Sequence, residues 1–461
     1  MRVVFATMFE EDGGGGVGRV AHEMAEAFAA DHEVLFIYPG KVTRQKTEGR
    51  LWRLMVGSKG EGDVIIPILN KRNIYLIFNC LEKFSPEVVH VHDPGPVSFL
   101  LQMWANKSKT PFVYTSHVLP TKIVNFGANE LGKISKVLDS KVAKKYFSYF
   151  FSHCQGVIAL NERAKEDILR FGYKGKIFLV PNGRNLAKYW QEKDFAGKNN
   201  LVFVGYLTRR KNQKYLIEVM KYLPEEYGLK LVGPALDNNY LLELKRLVKR
   251  YGLRNVSLLG SVSHQKIPEI LREAKVFVSA SLMEVQSLAI LEALASGTPV
   301  VGLSNETVDE FIDESCGFWL PKRTSPKDFA KKVLKICSLP EKEYEKLRGN
   351  ARKKVEHLDW EKIVRETMGV YQKLDGGEVK EKEFFPNWQV ERDFQKRMPG
   401  FYFYSEKIAG KVKVEKEDVY LLGLMAGSWL ASFFYSLKNS WDAWRRRLVF
   451  GLVGQESHGP E

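Results

Sequence analysis

From Met1 to Gly40 the chain reads MRVVFATMFEEDGGGGVGRVAHEMAEAFAADHEVLFIYPG. An apolar run from Arg2 to Ala6 is followed by a glycine-rich turn, a segment of helical period from Arg19 to Ala30, and a second apolar run from Glu33 to Tyr38. Short apolar runs bounded by turn residues read as buried strands, and a helical crossover between two of them fits a parallel pair. The alternation continues outward: Val88 to Val91, Phe112 to Thr115, Gly156 to Leu160 and Ile177 to Val180 predict further strands of one doubly wound α/β domain.

The stretch Gln191 to Asn200 breaks the apolar period and reads as a linker. Beyond it a second series begins, with strands predicted at Leu201 to Val204, Leu229 to Val232, Val256 to Leu259, Val276 to Val278 and Pro299 to Val301. A chain of 461 residues, 44% of them hydrophobic, has room for two cores of roughly 150 to 200 residues with a cleft between them. Two Rossmann-like domains, 1–190 and 197–358, are the expectation, with no internal repeat of shorter period. From about Asp375 the character changes to mixed charges and aromatics, followed by an uncharged run from Val419 to Leu437, so 376–461 reads as an extension.

Seventy Lys and Arg against 55 Asp and Glu leave +15, which favours an anionic partner: nucleotide phosphates, an acidic membrane surface or nucleic acid. Nucleic acid has no further support, because no helix-turn-helix, zinc finger or aromatic-basic sheet motif is present. Cys80, Cys154, Cys316 and Cys337 show no CxxC spacing, so neither a zinc site nor a disulfide framework is indicated and a reducing compartment is expected. His90, His92 and Asp93 resemble a metal cluster, but at strand spacing the two histidines point the same way without a third ligand, and no metal is expected there. The N-terminus opens on a strand with no export signal, which predicts a cytoplasmic protein.

Two motifs carry chemistry. Asp12-Gly13-Gly14-Gly15-Gly16-Val17-Gly18-Arg19 lies between the first strand and the first helix, where glycines permit close backbone approach and a helix start offers free N–H groups to an anion. A glycine run is also what a flexible surface loop looks like, and the spacing is not GxGxxG. The other is Glu284-Val-Gln-Ser-Leu-Ala-Ile-Leu-Glu292, with Glu284 expected in the loop before a helix and Glu292 two turns inside it. A carboxylate accepts two vicinal hydroxyls, so one acid suits a hexose and the other a ribose. Taken alone, two acids at this spacing also describe a solvated helix face.

The segment Glu284 to Glu292 resembles the EX7E signature of the large retaining family of GT-B glycosyltransferases called family four, or glycosyl transferases group 1. Gly15-Gly16-Val17-Gly18-Arg19 resembles its glycine loop, Val89-His90-Val91-His92-Asp93 its fourth-strand motif, Val180-Pro181-Asn182-Gly183 its interdomain motif, and Phe203-Val204-Gly205 with Lys211 its phosphate loop. The similarity covers roughly residues 1–373 and ends in Trp360 to Lys373, so 359–375 is expected to cross back to the first domain. The resemblance implies a GT-B fold, two Rossmann-like domains with parallel sheets facing across a cleft, and a hexosyltransferase taking its donor from a UDP- or GDP-linked sugar. Residue by residue it implies that His117 faces the sugar, Lys211 neutralises the diphosphate, Glu284 holds the hexose and Glu292 the ribose. Gly15, Gly16, Gln286, Ser287 and Leu288 would line the donor, and no cofactor or divalent ion is required. Retention would follow from front-face attack assisted by the donor phosphate.

Two positions depart from the family pattern. Tyr206 stands after Gly205 where the family commonly has Arg, leaving Arg209 or Arg210 to supply that charge. Val285-Gln286-Ser287 replaces the usual Gly-Phe-Gly after the first Glu; subgroups with Gln here include enzymes that modify membrane glycerolipids, which points to a lipid acceptor. Lys133 to Phe151 reads as a basic amphipathic helix ending in aromatics, and Val419 to Leu437 as an apolar helix. Both suit an anionic membrane surface on the inner face of the cell membrane and both are also compatible with packing against protein, while the second also approaches the length of a membrane span. The alternatives are a soluble sugar or sugar-phosphate acceptor and a non-catalytic nucleotide-sugar-binding protein.

Overall fold

The computed structural model describes residues 1–10, 15–61, 64–69, 71–121, 147–190 and 199–374. The first sheet contains β1 (Arg2–Ala6), β2 (Glu33–Gly40), β3 (Arg44–Glu48), β4 (Leu51–Glu61), β5 (Val64–Pro67), β6 (Val88–Val91), β7 (Phe112–Ser116), β8 (Gly156–Ala159) and β9 (Lys176–Leu179). Their order is β3-β4-β2-β1-β6-β7-β8-β9, with β5 paired to β4. Helices α1 (Gly15–Ala29), α2 (Lys71–Phe84), α3 (Pro96–Lys107) and α4 (Glu162–Arg170) accompany it.

The second sheet orders β12 (Val256–Gly260), β11 (Gly228–Val232), β10 (Asn200–Val204), β13 (Val276–Ser279), β14 (Val300–Leu303) and β15 (Gly317–Leu320), every pair parallel. Its helices are α5 (Gln213–Met220), α6 (Asn238–Arg250), α7 (Ile267–Glu273), α8 (Leu288–Ala295), α9 (Glu306–Phe311), α10 (Pro326–Cys337) and α11 (Glu341–Lys353). The expected pair of Rossmann-like domains is present, each with apolar clusters on both faces of its sheet.

The last described helix, α12 (Trp360–Lys373), starts at Asp359, whose carboxylate accepts from Glu361 N at 3.1 Å, and packs on the first domain. Trp360, Ile363, Val370 and Tyr371 join Val3, Phe5, Val20 and Phe28 in one buried cluster. Burial of each such side chain is worth roughly 1.5–3 kcal/mol, so this face of α12 ties the end of the second domain to the first sheet.

Several expectations need correction. The first sheet is not wholly parallel, because β3 and β5 run antiparallel to β4. The strand β3, Arg-Gln-Lys-Thr-Glu, is exposed throughout and offers no apolar run to read. The strand β15 went unanticipated, and Asn200 belongs to β10 rather than to a linker. The helix α1 begins at Gly15, not Arg19, so the second half of the glycine motif forms a first helical turn. At the end of the expected amphipathic segment, Phe147, Phe150 and Phe151 are buried in the core of the first domain, which makes them packing residues. The rest of that segment and the run 419–437 lie outside the described residues. No helix among the described residues is long and apolar enough to cross a membrane.

Candidate active site

The loop from β13 to α8 carries Glu284, and the turn after β10 carries Arg210 and Lys211. Thr208 caps that turn by accepting from Lys211 N, and Asn212 leaves it in a left-handed conformation, φ 57°. This geometry turns Lys211 inward, where its ammonium donates to Glu284 Oε1, while Arg210 Nη1 reaches Glu284 Oε2 at 3.4 Å and Met283 O at 2.6 Å. Burial acts to raise the Glu284 carboxyl, but Lys211 and Arg210 outweigh it and hold the group below the ordinary carboxylate range. Burial also draws Lys211 down from its usual value. Arg209 does not join them: it turns outward to Glu243 at 2.7 Å and lies over the Tyr240 ring. Of the two candidates to replace the missing family Arg, only Arg210 reaches the site.

Glu292 heads a separate cluster. It lies one turn inside α8 rather than two, because the helix starts at Leu288. Its side chain is 1% exposed; Oε1 accepts from Arg19 Nη1 at 3.0 Å, lies 3.3 Å from His264 Nε2, and has Arg184 Nε at 3.7 Å, an ion pair without a hydrogen bond. Burial raises Glu292, yet the His264 hydrogen bond with the Arg19 and Arg184 charges holds it down at about 2. Arg19 comes from α1, so this contact joins the domains. Arg184, directly after the Val180 to Gly183 motif, is also 1% exposed; its Nη1 donates to Glu23 Oε2 at 3.2 Å and Gly183 O at 2.9 Å, and Nη2 has no hydrogen-bond partner among the described residues. A buried guanidinium with an unused donor is suited to an anion or a sugar oxygen.

The first helical turn of α1 stands against the second domain. A Cβ on Gly15 would lie 3.0 Å from the Tyr206 ring, and one on Gly16 would lie 3.1 Å from Leu288 Cδ1. Tyr206 therefore covers the glycine turn, and bare backbone is what lets it approach. Leu288 inserts into the first domain's core cluster.

The atypical tripeptide Val285-Gln286-Ser287 is clasped from the first domain. Asn161 Nδ2 donates to Val285 O at 2.8 Å, and Asn182 N donates to Gln286 Oε1 at 2.7 Å. Gln286 Nε2 stays buried without a partner among the described residues. Ser287 N donates to Thr307 Oγ1 at 2.7 Å, and Glu284 N to Glu306 Oε2 at 2.9 Å, so those two backbone amides are committed inside the protein rather than available to a phosphate.

His117 follows β7 and sits beside His92, with 3.0 Å between His92 Nδ1 and His117 Nε2. His92 stacks on His90 in turn, and His90 is bonded to Tyr371 of α12 and Thr115 at 2.6 Å each. Sequence spacing showed the pair His90 and His92 but not the third ring. No group of His, Cys, Asp and Glu side chains arranged to hold a metal occurs among the described residues. Arg19, Asn161, Arg184 and His264 were also missed. Arg184 had one local signal, its place after the interdomain motif, and Asn161 had only its role as a helix cap, accepting from Ala164 N at 2.8 Å.

Comparison with known proteins bears directly on this cleft. The Glycosyltransferase Family 4 profile matches residues 14–188, and the Glycosyl transferases group 1 profile matches residues 187–354. An uncharacterized glycosyltransferase of Methanocaldococcus jannaschii is 30% identical over 311 residues, covering 62% of this chain and 75% of that protein. The chain belongs to this glycosyltransferase family. The glycosyltransferase is also 23% identical over 251 residues to the alpha-monoglucosyldiacylglycerol synthase of Acholeplasma laidlawii, covering 51% of this chain and 63% of the other. Among solved structures, sucrose-phosphate synthase from Thermosynechococcus elongatus superposes with a TM-score of 0.65 at 19% identity, covering 81% of this chain and 99% of that one. Anabaena HepE in complex with UDP and glucose gives 0.65 at 16%, covering 81% and 100%. These likenesses establish the GT-B fold of the glycosyltransferase.

Proposed function

We propose that this glycosyltransferase moves a hexose from a UDP- or GDP-linked sugar to a lipid or lipid-linked acceptor, with retention, at the inner face of a membrane. The observation that carries the reading is the buried Glu284–Lys211–Arg210 cluster, set in the loop that leads into α8, whose Leu288 abuts the glycine turn of α1. In the proposed site Lys211 and Arg210 meet the diphosphate, Gly16 offers its N–H at the helix start, Glu284 accepts hexose hydroxyls and Glu292 accepts from the ribose through Oε2. His117, Gln286 Nε2, Ser287 and Leu288 line the sugar and phosphate. Positive side chains and a helix N-terminus stabilise the leaving diphosphate, so the reaction needs no divalent ion or other cofactor. The acceptor hydroxyl attacks from the face the nucleotide leaves, and a donor phosphate oxygen takes its proton.

The nucleotide donor is supported by the UDP in the HepE complex. The lipid acceptor is supported by relatives named as monoglucosyldiacylglycerol synthases and as a galactosyltransferase acting on a diphosphoundecaprenol-linked sugar. The likeness to sucrose-phosphate synthase favours a soluble sugar phosphate as the second reading. A transfer assay with labelled UDP- and GDP-hexoses separates them, comparing acceptor lipids in anionic vesicles with soluble sugar phosphates for the full chain and a chain ending at Asp375. The proposal expects label in the lipid phase, falling with removal of 376–461. Label in a soluble sugar phosphate, undiminished by that removal, would establish the second reading.

A further inference from the structure

The fourth-strand motif has no part in the site described so far beyond its contact with His117, and its surroundings are unusual. His92 is 1% exposed and Thr367 of α12 is 0% exposed; His92 Nε2 and Thr367 Oγ1 both lack a hydrogen-bond partner among the described residues. Leaving a buried polar atom unpaired costs about 1–3 kcal/mol, so two such residues on the wall of one cavity call for a partner. The residues His92, Thr115 and Thr367 line one small cavity beside Asn182 and Trp360, with about 10 Å³ open to the centre of a water molecule. That is room for a single water, and polar partners are at hand to hold it.

The other edge of the His92 ring faces His117. His90 and His117 are drawn down to about 3, chiefly by burial and then by neighbouring His117 and Arg184 respectively, and His92 is drawn well below its ordinary value by burial and the nearby histidines. All three rings are therefore neutral near pH 7, and each carries one proton. Across the 3.0 Å contact only one of the two facing nitrogens bears it, so the tautomer of His92 dictates that of His117. The Arg184 charge acts on His117 and disfavours a second proton on its ring.

We propose that His92 is a positioning residue for His117. With Thr367 it holds one buried water, His92 Nε2–H donating to that water, and its Nδ1 accepts from His117 Nε2–H, so that His117 presents an Nδ1 lone pair to the cleft. The proposal rests on the reading of His117 as the residue facing the donor sugar. It adds that α12, which supplies Thr367, sets the hydrogen-bonding character of that face.

The test is a long-range ¹H–¹⁵N spectrum of full-length protein labelled with ¹⁵N-histidine, the His117 signals being assigned among the nine histidines by their loss in His117→Gln. The expected spectrum has the Nε2–H form on both His92 and His117. In Thr367→Val and His92→Phe the His117 signals should lose that single tautomer, and donor hydrolysis should fall by ~10-fold or more in kcat with little change in KM, by analogy with loss of a partner that orients a metal-bound histidine. His92→Gln, which offers an acceptor and a donor, should restore both readouts. An Nδ1–H form on His117 of the unaltered protein, or an unchanged His117 spectrum in the folded Thr367→Val variant, overturns the proposal. Because the spectrum is read without substrate, its failure is distinct from a failure to find glycosyl transfer.

Discussion

Lys211 and Glu284 stand in direct contact, and the proposed chemistry asks different things of each. Lys211 meets charge that grows on the leaving diphosphate, so Lys211→Met should lower kcat for transfer by ~10²–10³ while donor KM moves less, as for loss of one preorganised electrostatic donor. Steady-state kinetics at saturating acceptor check this. Glu292 is different, since it also balances Arg19 and Arg184 where the domains meet. Glu292→Gln leaves two guanidinium groups facing a neutral amide and should cost roughly 3–5 kcal/mol, read from the urea midpoint, in addition to weakening nucleotide binding. Both acids and the lysine were legible because their motifs are local in sequence. The partners of Glu292 were not, since Arg19 and His264 approach it from different elements and no spacing rule links them. Tyr206 is a similar case: its ring covers Gly15 only because two domains meet there.

Among the elements, most parallel strands were readable because strands buried on both faces appear as continuous apolar runs, as in Val3 to Ala6 and Val276 to Val278; β4 and β15, parallel to β2 and β14, were not anticipated. The edge was unreadable for the opposite reason. Arg44 to Glu48 is exposed at every residue and lies at the sheet edge, so its ladder with β4 is held by backbone hydrogen bonds that leave no hydropathy signal. The loop before α8 shows how an element acquires a role no motif records. Its Val285 and Gln286 are stitched to the first domain by Asn161 and Asn182. Asn161 also caps α4 and bonds Glu310 Oε2 at 3.1 Å. Asn161→Ala should therefore lower stability by about 2 kcal/mol, combining a lost cap with a lost buried hydrogen bond, and should raise donor KM because the loop bearing Glu284 loses its clasp. Calorimetry and kinetics on the same variant check both effects; a fall in stability with donor KM unchanged would show that the clasp serves packing alone.

Across the whole molecule, burial sets the response to acid. Burial holds His22 near 4 and His90 and His117 near 3, and holds His92 well below the ordinary imidazole value. Each binds a proton readily only when unfolded, so each adds stability above about pH 6.5 that is lost as the pH falls toward the folded value. Glu310 opposes them: burial raises it to about 7, and its penalty is relieved as the pH falls below that. The histidines outnumber it, giving a net uptake of about three protons on unfolding near pH 5 to 6 and a loss on the order of 4 kcal/mol per pH unit. The Tm should therefore drop steadily from pH 7 to pH 5, and a flat Tm over that range would contradict the buried histidine array. The proposed reaction is cleavage of a nucleotide-diphosphate hexose beside Glu284, and the most direct measurement is proton NMR of UDP- and GDP-hexoses incubated with the full chain. The expected result is release of nucleoside diphosphate with an equal amount of sugar that keeps the anomeric configuration of the donor, and no release with Glu284→Ala. Inverted product, or undiminished cleavage by Glu284→Ala, would contradict it.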